Sequence, residues 1–382
     1  MSSPSIALNK NLIPVDDHRQ VATLSPSRAP DKIVSCLQPL EDPRWDRFVA
    51  SHPNSSAFHA SPWLKALQLT YGYKPVAYTT SATGAELENA IVFCEVDSWL
   101  TGKRLVSLPF SDHCDALASD DDTRAIMSRV LDRDLASKGW RYVEMRPLQI
   151  QNVSTLLHCR RVAYAFHRLD LRPTIDILLR NLHQNSTRRK ILRASREGLK
   201  YQEGTSEELL NHFYELFCRM RLRHKVPPPP REWFANLIRC FGDSLRIRVA
   251  FAEDRAVAAM ITIAFKETMM YKYGCSDTRF NRLGGMHLLY WRAIHDAKMY
   301  GLEWFDFGRT DAGQQGLITF KNRWGADESV LTYFRYGQAA NSAHIFDLPI
   351  GRWKTRTMKS ILSWLPGSVV SKAGELLYRH IG

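Results

Sequence analysis

Long apolar runs are missing from this 382-residue chain: no stretch reaches the length of a membrane-spanning helix, and the polar first thirty residues lack the apolar core of a secretion signal. A cytoplasmic protein with a disordered segment over 1–32 is therefore expected. Cysteine is sparse and scattered: Cys36, Cys94, Cys114, Cys159, Cys218, Cys240 and Cys275 form no C-x-x-C pair, and no His pair has metal-ligand spacing. Neither a disulfide framework nor a metal site is predicted. G-x-S-x-G, G-x-x-x-x-G-K-[ST], H-E-x-x-H and G-x-G-x-x-G are all absent, which removes the main support for hydrolase, P-loop, zinc-protease and dinucleotide-binding readings.

Acidic residues are also in short supply, 39 Asp and Glu against 52 Lys and Arg, for a net charge of +13. Two stretches carry most of the excess. Arg180 to Arg231 holds twelve Lys and Arg against five Asp and Glu, and Gln338 to Gly382 holds six against two. Concentrated positive charge points to an anionic partner such as nucleic acid, a phosphorylated sugar or an acidic membrane surface.

What the chain does have is size enough for two domains, with 45% hydrophobic residues to build their cores, and one pattern that occurs twice. In the first half a strand, Arg104 to Phe110, reaches Ser111-Asp112, a helix ends at Gly139, and a strand follows over Tyr142 to Arg146. In the second half a strand, Met269 to Cys275, reaches Ser276-Asp277, a helix ends at Gly301, and a strand follows from Trp304 to Phe307. Five residues after each helix-closing glycine stands an acid, Glu144 or Asp306, and an arginine follows, Arg146 or Arg309. Each copy reads as a strand-loop-helix-strand unit. Around them Ser61 to Tyr71 reads as a helix, and Val76–Thr80, Ala90–Val96, Leu245–Phe251, Ala256–Phe265 and Thr268–Cys275 read as strands. The fold class is α/β (α+β), mixed sheets flanked by helices. The domains are expected over 33–168 and 169–337, with a helical tail over 338–382.

Before the second sheet comes N-S-T-R-R-K-I-L-R-A-S-R-E-G-L, a helix with Asn185 or Ser186 as its cap and Gly198 as its stop. Ile191 and Leu192 form its apolar side, and Arg188, Arg189, Lys190, Arg193 and Arg196 crowd the rest, a surface suited to phosphate. A second helix, Glu207 to Lys225, adds Arg219, Arg221, Arg223 and Lys225 and is broken by Pro227 to Pro230. The densest set of chemical groups is W-F-D-F-G-R-T-D-A-G-Q-Q-G-L-I-T-F-K-N-R-W-G, a strand that passes through a glycine-rich turn into a short helix. It carries Asp306, Arg309, Asp311, Lys321, Arg323 and Trp324. Strand ends at such turns are where α/β proteins place their sites; Asp311 fits a helix cap equally well.

Several blocks resemble the FemABX-like group of tandem acetyltransferase-fold (GNAT) enzymes: S-L-P-F-S-D-H from Ser107, H-Q-N-S-T-R-R-K-I-L-R-A-S-R-E-G-L from His183, Y-K-Y-G-C-S-D from Tyr271, F-D-F-G-R from Phe305, and F-K-N-R-W-G-A from Phe320. The similarity covers about residues 33 to 336 and looks nearest to Gram-negative relatives associated with exopolysaccharide export. It implies two acetyltransferase-like domains packed together and transfer of an acyl or aminoacyl group onto an amine of a cell-envelope or exopolysaccharide precursor. No cofactor is held tightly; acyl-CoA or aminoacyl-tRNA is the co-substrate. The family's Phe-Lys pair corresponds to Phe320-Lys321, and a Lys321 ammonium is suited to the developing oxyanion. His113, Asp112, Asp306 or a group of the substrate stands as the general base, with Phe320, Arg309, Tyr273, Trp324, Arg188, Arg189 and Lys190 as binding residues. As aromatics of an α/β core, Tyr271, Tyr273 and Trp324 suit packing as well.

One departure matters. Acetyl-CoA enzymes of this fold present R-x-x-G-x-G/A before the helix that receives the pyrophosphate, whereas this chain has N-R-L-G-G-M-H from Asn281. That leaves CoA in question and keeps a second reading open: a non-catalytic binder of nucleic acid or anionic glycan on a degenerate acetyltransferase fold. The basic tail, with Trp353, Ile361, Leu362, Trp364 and Leu365, suits either packing on the second domain or peripheral contact with an anionic membrane. Because the first copy continues into no Gly-rich turn and no Phe-Lys pair, the second is expected to carry the chemistry and the first to wall the groove.

Overall fold

The computed structural model describes residues 33–99, 102–118, 120–148, 159–337 and 377–380. The first half runs β1 (Ser35–Leu37), α1 (Trp45–Ser51), α2 (Ser61–Tyr71), β2 (Lys74–Thr79), β3 (Ile91–Val96), β4 (Arg104–Val106), α3 (Asp120–Ser137), β5 (Val143–Met145) and β6 (Arg160–Asp170). The second runs α4 (Ile175–Asn181), α5 (Arg189–Arg196), β7 (Lys200–Gly204), α6 (Glu207–Arg223), α7 (Arg231–Phe241), β8 (Leu245–Ala252), β9 (Arg255–Phe265), β10 (Thr268–Ser276), α8 (Gly285–Met299), β11 (Trp304–Asp311), α9 (Gln315–Asn322) and β12 (Asp327–Tyr336).

All twelve strands join in one sheet, ordered β1-β2-β3-β4-β5-β12-β6-β11-β10-β9-β8-β7. Exchanging each strand with the one six places on reverses this order without changing it. β4·β5 and β10·β11 are parallel and the other pairs antiparallel. Each half gives its sixth strand to the other: β12 lies against β5, β6 against β11, and the two meet in the middle. The acids matched by sequence also match in register, Glu144 opposite Val106 and Asp306 opposite Met270. The helices follow suit. α2 and α7 are both 11 residues long, both carry Trp at the third position, both end at Gly (Gly72, Gly242), and Trp63 and Trp233 meet edge to face at 5.2 Å in a shared core. We propose on this basis that the chain is two copies of one unit, divided near residue 168 at the end of the exchanged strand β6.

Elements differ from the sequence reading where local geometry intervenes. The strand expected to run to Phe110 stops at Val106, because Leu108 and Phe110 adopt positive φ (49° and 63°) and turn the chain out of the sheet. The basic helix opens as a π-turn, Gln184–Arg188, and neither Asn185 nor Ser186 caps it through its side chain. Leu192 is 55% exposed, and Ala194 takes the buried place beside Ile191. Asp311 is no helix cap: α9 follows Gln314, and the Asp311 carboxylate receives Gln314 Nε2 (3.1 Å) and Arg309 (3.4 Å). Of the tail, only Leu377–His380 lies among the described residues. There Tyr73 Oη donates to the Tyr378 and Arg379 carbonyls, both at 3.0 Å, and the Tyr378 ring packs on Phe110. The membrane expectation falls on residues outside those described, as does the segment 1–32. No helix among the described residues is long and apolar enough to cross a membrane.

Candidate active site

The site forms where parallel strands part. β10 and β11 pair only from Thr268/Trp304 to Met270/Asp306; beyond that β10 follows β9 to Ser276 and β11 follows β6 to Asp311. Both strands bulge at the parting. The β10 register shifts between Tyr271 and Tyr273, setting Lys272 apart, and the β11 register shifts between Asp306 and Arg309, leaving two residues, Phe307 and Gly308, against one, His167. Bulges of this kind bend a strand and re-aim its side chains. Gly308 sits at φ +69°, and a β-carbon there would lie 3.0 Å from Asp112 Oδ2, so conformation and space both call for glycine.

Into this fork the first copy sends its loop after β4, and the second sends α9. His113 Nε2 lies 3.2 Å from Asp306 Oδ2, and the other carboxylate oxygen accepts the Gly308 amide at 2.6 Å. Both side chains are buried, and His113 Nδ1 has no hydrogen-bond partner among the described residues. Burial pulls the His113 pKa down, but the hydrogen bond and charge of Asp306, with Asp115 and Asp112 beyond, carry it above its ordinary value. Asp112 faces the other way, receiving Lys272 Nζ at 3.0 Å with Arg309 Nε at 3.9 Å. Burial opposes its charge, yet these two cations hold it below the usual carboxylate range. Lys272 is held down by burial against the pull of Asp112 and sits among the faces of Phe58, Trp63 and Tyr273, 5.1 to 5.6 Å from their centroids. Arg309 stacks on Tyr164 (4.4 Å) and Tyr333 (5.3 Å), and Tyr333 Oη donates to the Asp112 carbonyl at 2.6 Å.

Lys321, on α9, is 1% exposed and gives hydrogen bonds to the carbonyls of Gly308 (2.7 Å) and Arg309 (3.3 Å). Burial lowers its pKa to about 8, with Asp112 and Asp306 acting against that fall. An ammonium has three protons, and these two bonds leave one. Lys321 and His113 therefore reach the same short stretch, Asp306 to Gly308, from different elements.

The structure thus brings Asp112, His113, Asp306, Arg309 and Lys321 together. Phe320 is half-buried against His287 and Tyr290; Trp324 is buried, packed on Tyr290 and Phe307, with its Nε1 unpartnered. Tyr273 accepts a hydrogen bond from Trp233 Nε1 (2.9 Å). Arg188, Arg189 and Lys190 stand apart at the start of α5 and make no ion pair among the described residues. There α5 meets the first turn of α8: Gly284 (φ +83°) lets the Lys190 carbonyl approach so closely that a β-carbon would lie 2.5 Å from it. Burial and the Lys190 charge lower the pKa of nearby His287 to about 3. The sequence reading missed Lys272, Tyr164 and Tyr333. A single Lys between two Tyr in an otherwise apolar strand was the signal for the first; the tyrosines lie on the exchanged strands and carried none.

Fold and fork together define a tandem acetyltransferase-fold protein. Residues 183–322 match the family model of the acetyltransferase (GNAT) domain. A segment of 108 residues is 29% identical to the UDP-N-acetylmuramoylpentapeptide-lysine N(6)-alanyltransferase of Weissella viridescens, covering 28% of this chain and 31% of that protein, about a third of its length. The crystal structure of FemX superposes with a TM-score of 0.61 at 14% identity over 80% of this chain and 97% of that one. The structure of L-PGS from Bacillus licheniformis gives 0.51 at 14% identity over 88% and 98%. These matches show the fold and agree with the resemblance of the sequence blocks to the FemABX-like group.

Proposed function

We propose that the protein is an acyltransferase that moves an aminoacyl or other acyl group from an activated donor onto an amine of a cell-envelope precursor. The observation that carries this is Lys321, a buried ammonium with a proton to spare, at the same strand bulge that holds His113, whose Nδ1 has no hydrogen-bond partner among the described residues. The alanyltransferase named among the relatives and the GNAT match support the same reaction class.

In this reading the acceptor amine attacks the donor carbonyl carbon, a C–N bond forms, and charge collects on the carbonyl oxygen, where Lys321 donates its remaining N–H. His113, oriented by Asp306 through Nε2, is in its neutral form the base for the proton the amine sheds. The tetrahedral intermediate then collapses, the C–O or C–S bond to the donor breaks, and the leaving oxygen or sulfur takes up a proton. Asp112, held ionised by Lys272 and Arg309, is the wrong group for that base and serves to fix Arg309 and the loop carrying His113. The unpaired Arg188, Arg189 and Lys190 favour a phosphate-rich donor. Aminoacyl-tRNA fits that surface, and acyl-CoA remains the alternative donor. Such donors place the reaction in the cytoplasm, with an envelope or exopolysaccharide precursor as acceptor.

The test is a donor screen: acyl-CoAs and charged tRNAs are incubated with amine-bearing sugars and peptides, and transfer is followed by mass spectrometry. Transfer from at least one donor class is expected. No product from any donor, together with nucleic-acid binding indifferent to Lys321→Met, would establish the non-catalytic binder instead.

A further inference from the structure

Beside the His113–Asp306 pair the protein has an open cleft of about 350 Å3, lined by His113, Asp306, Arg168, Trp304, Ser56 and Met270 among others, a size suited to a small ligand or one part of a larger one. Arg168 is its distinctive group. On β6 it stands directly opposite Asp306, where a salt bridge would be the ordinary outcome. None forms. Both Asp306 oxygens are occupied, by Gly308 N and His113 Nε2, and the Arg168 guanidinium lies over Trp304, 3.9 Å from the ring centroid.

A second guanidinium, Arg172, also lies over Trp304 at 4.9 Å, but it is bound to Asp170 at 2.8 Å. Arg168 has no such acceptor and makes no hydrogen bond or ion pair among the described residues. A partly buried guanidinium lying over an indole, with its donors unspent, is preorganised for a planar or tetrahedral oxyanion. The same cleft carries Glu267 and Glu303, both exposed, which favour an ammonium rather than a purely anionic molecule.

We propose that this cleft is the acceptor subsite and selects an amine that also bears a carboxylate or phosphate group, the anion seated on Arg168 and the amine delivered toward His113 and Asp306. The inference rests on the acyltransferase reading, but Arg168 lies outside the groups assigned to bond making. Carboxylate and phosphate share the required chemistry, so the experiment carries an arm for each.

Binding to the full chain, without donor, is measured by calorimetry for two matched pairs: alanine against alaninamide, and glucosamine 6-phosphate against glucosamine. In at least one pair the anionic member is expected to bind about tenfold or more tighter. Arg168→Met is expected to erase the preference without weakening the neutral member, and Arg168→Lys, which keeps the charge and loses the fork, to retain part of it. Equal affinities within both pairs, a preference that survives Arg168→Met, or no binding of any probe overturns the proposal. Because no donor is present, selective binding by a protein that transfers nothing would sink the transferase reading and keep the subsite, and transfer without selectivity would do the reverse.

Discussion

At the first copy's parting of parallel strands, Glu144 is clamped between Arg146 (2.7 Å) and Arg335 (2.6 Å), and Arg146 goes on to bond the Leu108 and Ser111 carbonyls. At the second copy's, Asp306 has no arginine bonded to it among the described residues; it holds a histidine brought from the other copy. Burial opposes charge on Glu144, but the two guanidiniums overcome it and hold the pKa at about 2. Equivalent acids have thus gone separate ways. Saturated with arginine, one ties the exchanged strand β12 to β5; the other holds His113 and the Gly308 amide. The teaching is that the exchange of sixth strands makes each fork depend on the opposite copy, so neither copy alone holds a complete site.

That contrast can be broken from the structural side first. Glu144→Ala removes the carboxylate shared by two mostly buried guanidiniums and should cost about 3–5 kcal/mol of stability, read as a fall in the denaturant midpoint, while an unchanged midpoint would show that the clamp does not bind the copies together. Glu144's lowered pKa gives the sign with pH: its contribution is fully present above the ordinary value of 4.5 and is lost as pH falls toward about 2.

Gly308→Ala should cost less, about 1–2 kcal/mol for the left-handed backbone, yet slow transfer disproportionately, because the added carbon meets Asp112 and shifts the carbonyl that Lys321 grips. Loss of stability and activity in the same proportion would argue against a role for that bulge in the reaction. The smallest effect to sharpen the comparison is a pH profile. Transfer should rise as pH passes the raised His113 pKa, above 6.5, since the base must be neutral. It should fall as pH passes about 8, where Lys321 gives up its proton. A rate that keeps climbing above pH 9 would remove the ammonium from the mechanism.

Much of this was legible in the sequence. The paired acids after Gly139 and Gly301 are a local spacing signal, and the Phe320-Lys321 pair and the S-D-H loop sit in short contiguous blocks. What one sequence did not convey is which copy completes which fork. The contacts of His113 with Asp306 and of Arg335 with Glu144 span 193 and 191 residues, and they exist because β6 and β12 change partners, an event with no local signature. Arg168 was hidden for the same reason: within β6 it is one basic residue among several, and only the register opposite Asp306 gives it meaning. The early end of β4 escaped because positive φ at Leu108 and Phe110 falls on residues that seldom adopt it.

The central claim is that the second fork performs acyl transfer and the first only holds the molecule together. It is tested most directly by single-turnover transfer with Lys321→Met beside Arg335→Met, each checked for folding by its melting curve. We expect Lys321→Met to lose on the order of 10²–10³ in rate, the scale for removing one oxyanion donor, with little change in melting, and Arg335→Met to lower the melting temperature while the folded fraction keeps its rate. A Lys321→Met protein that transfers at the wild-type rate would contradict the account.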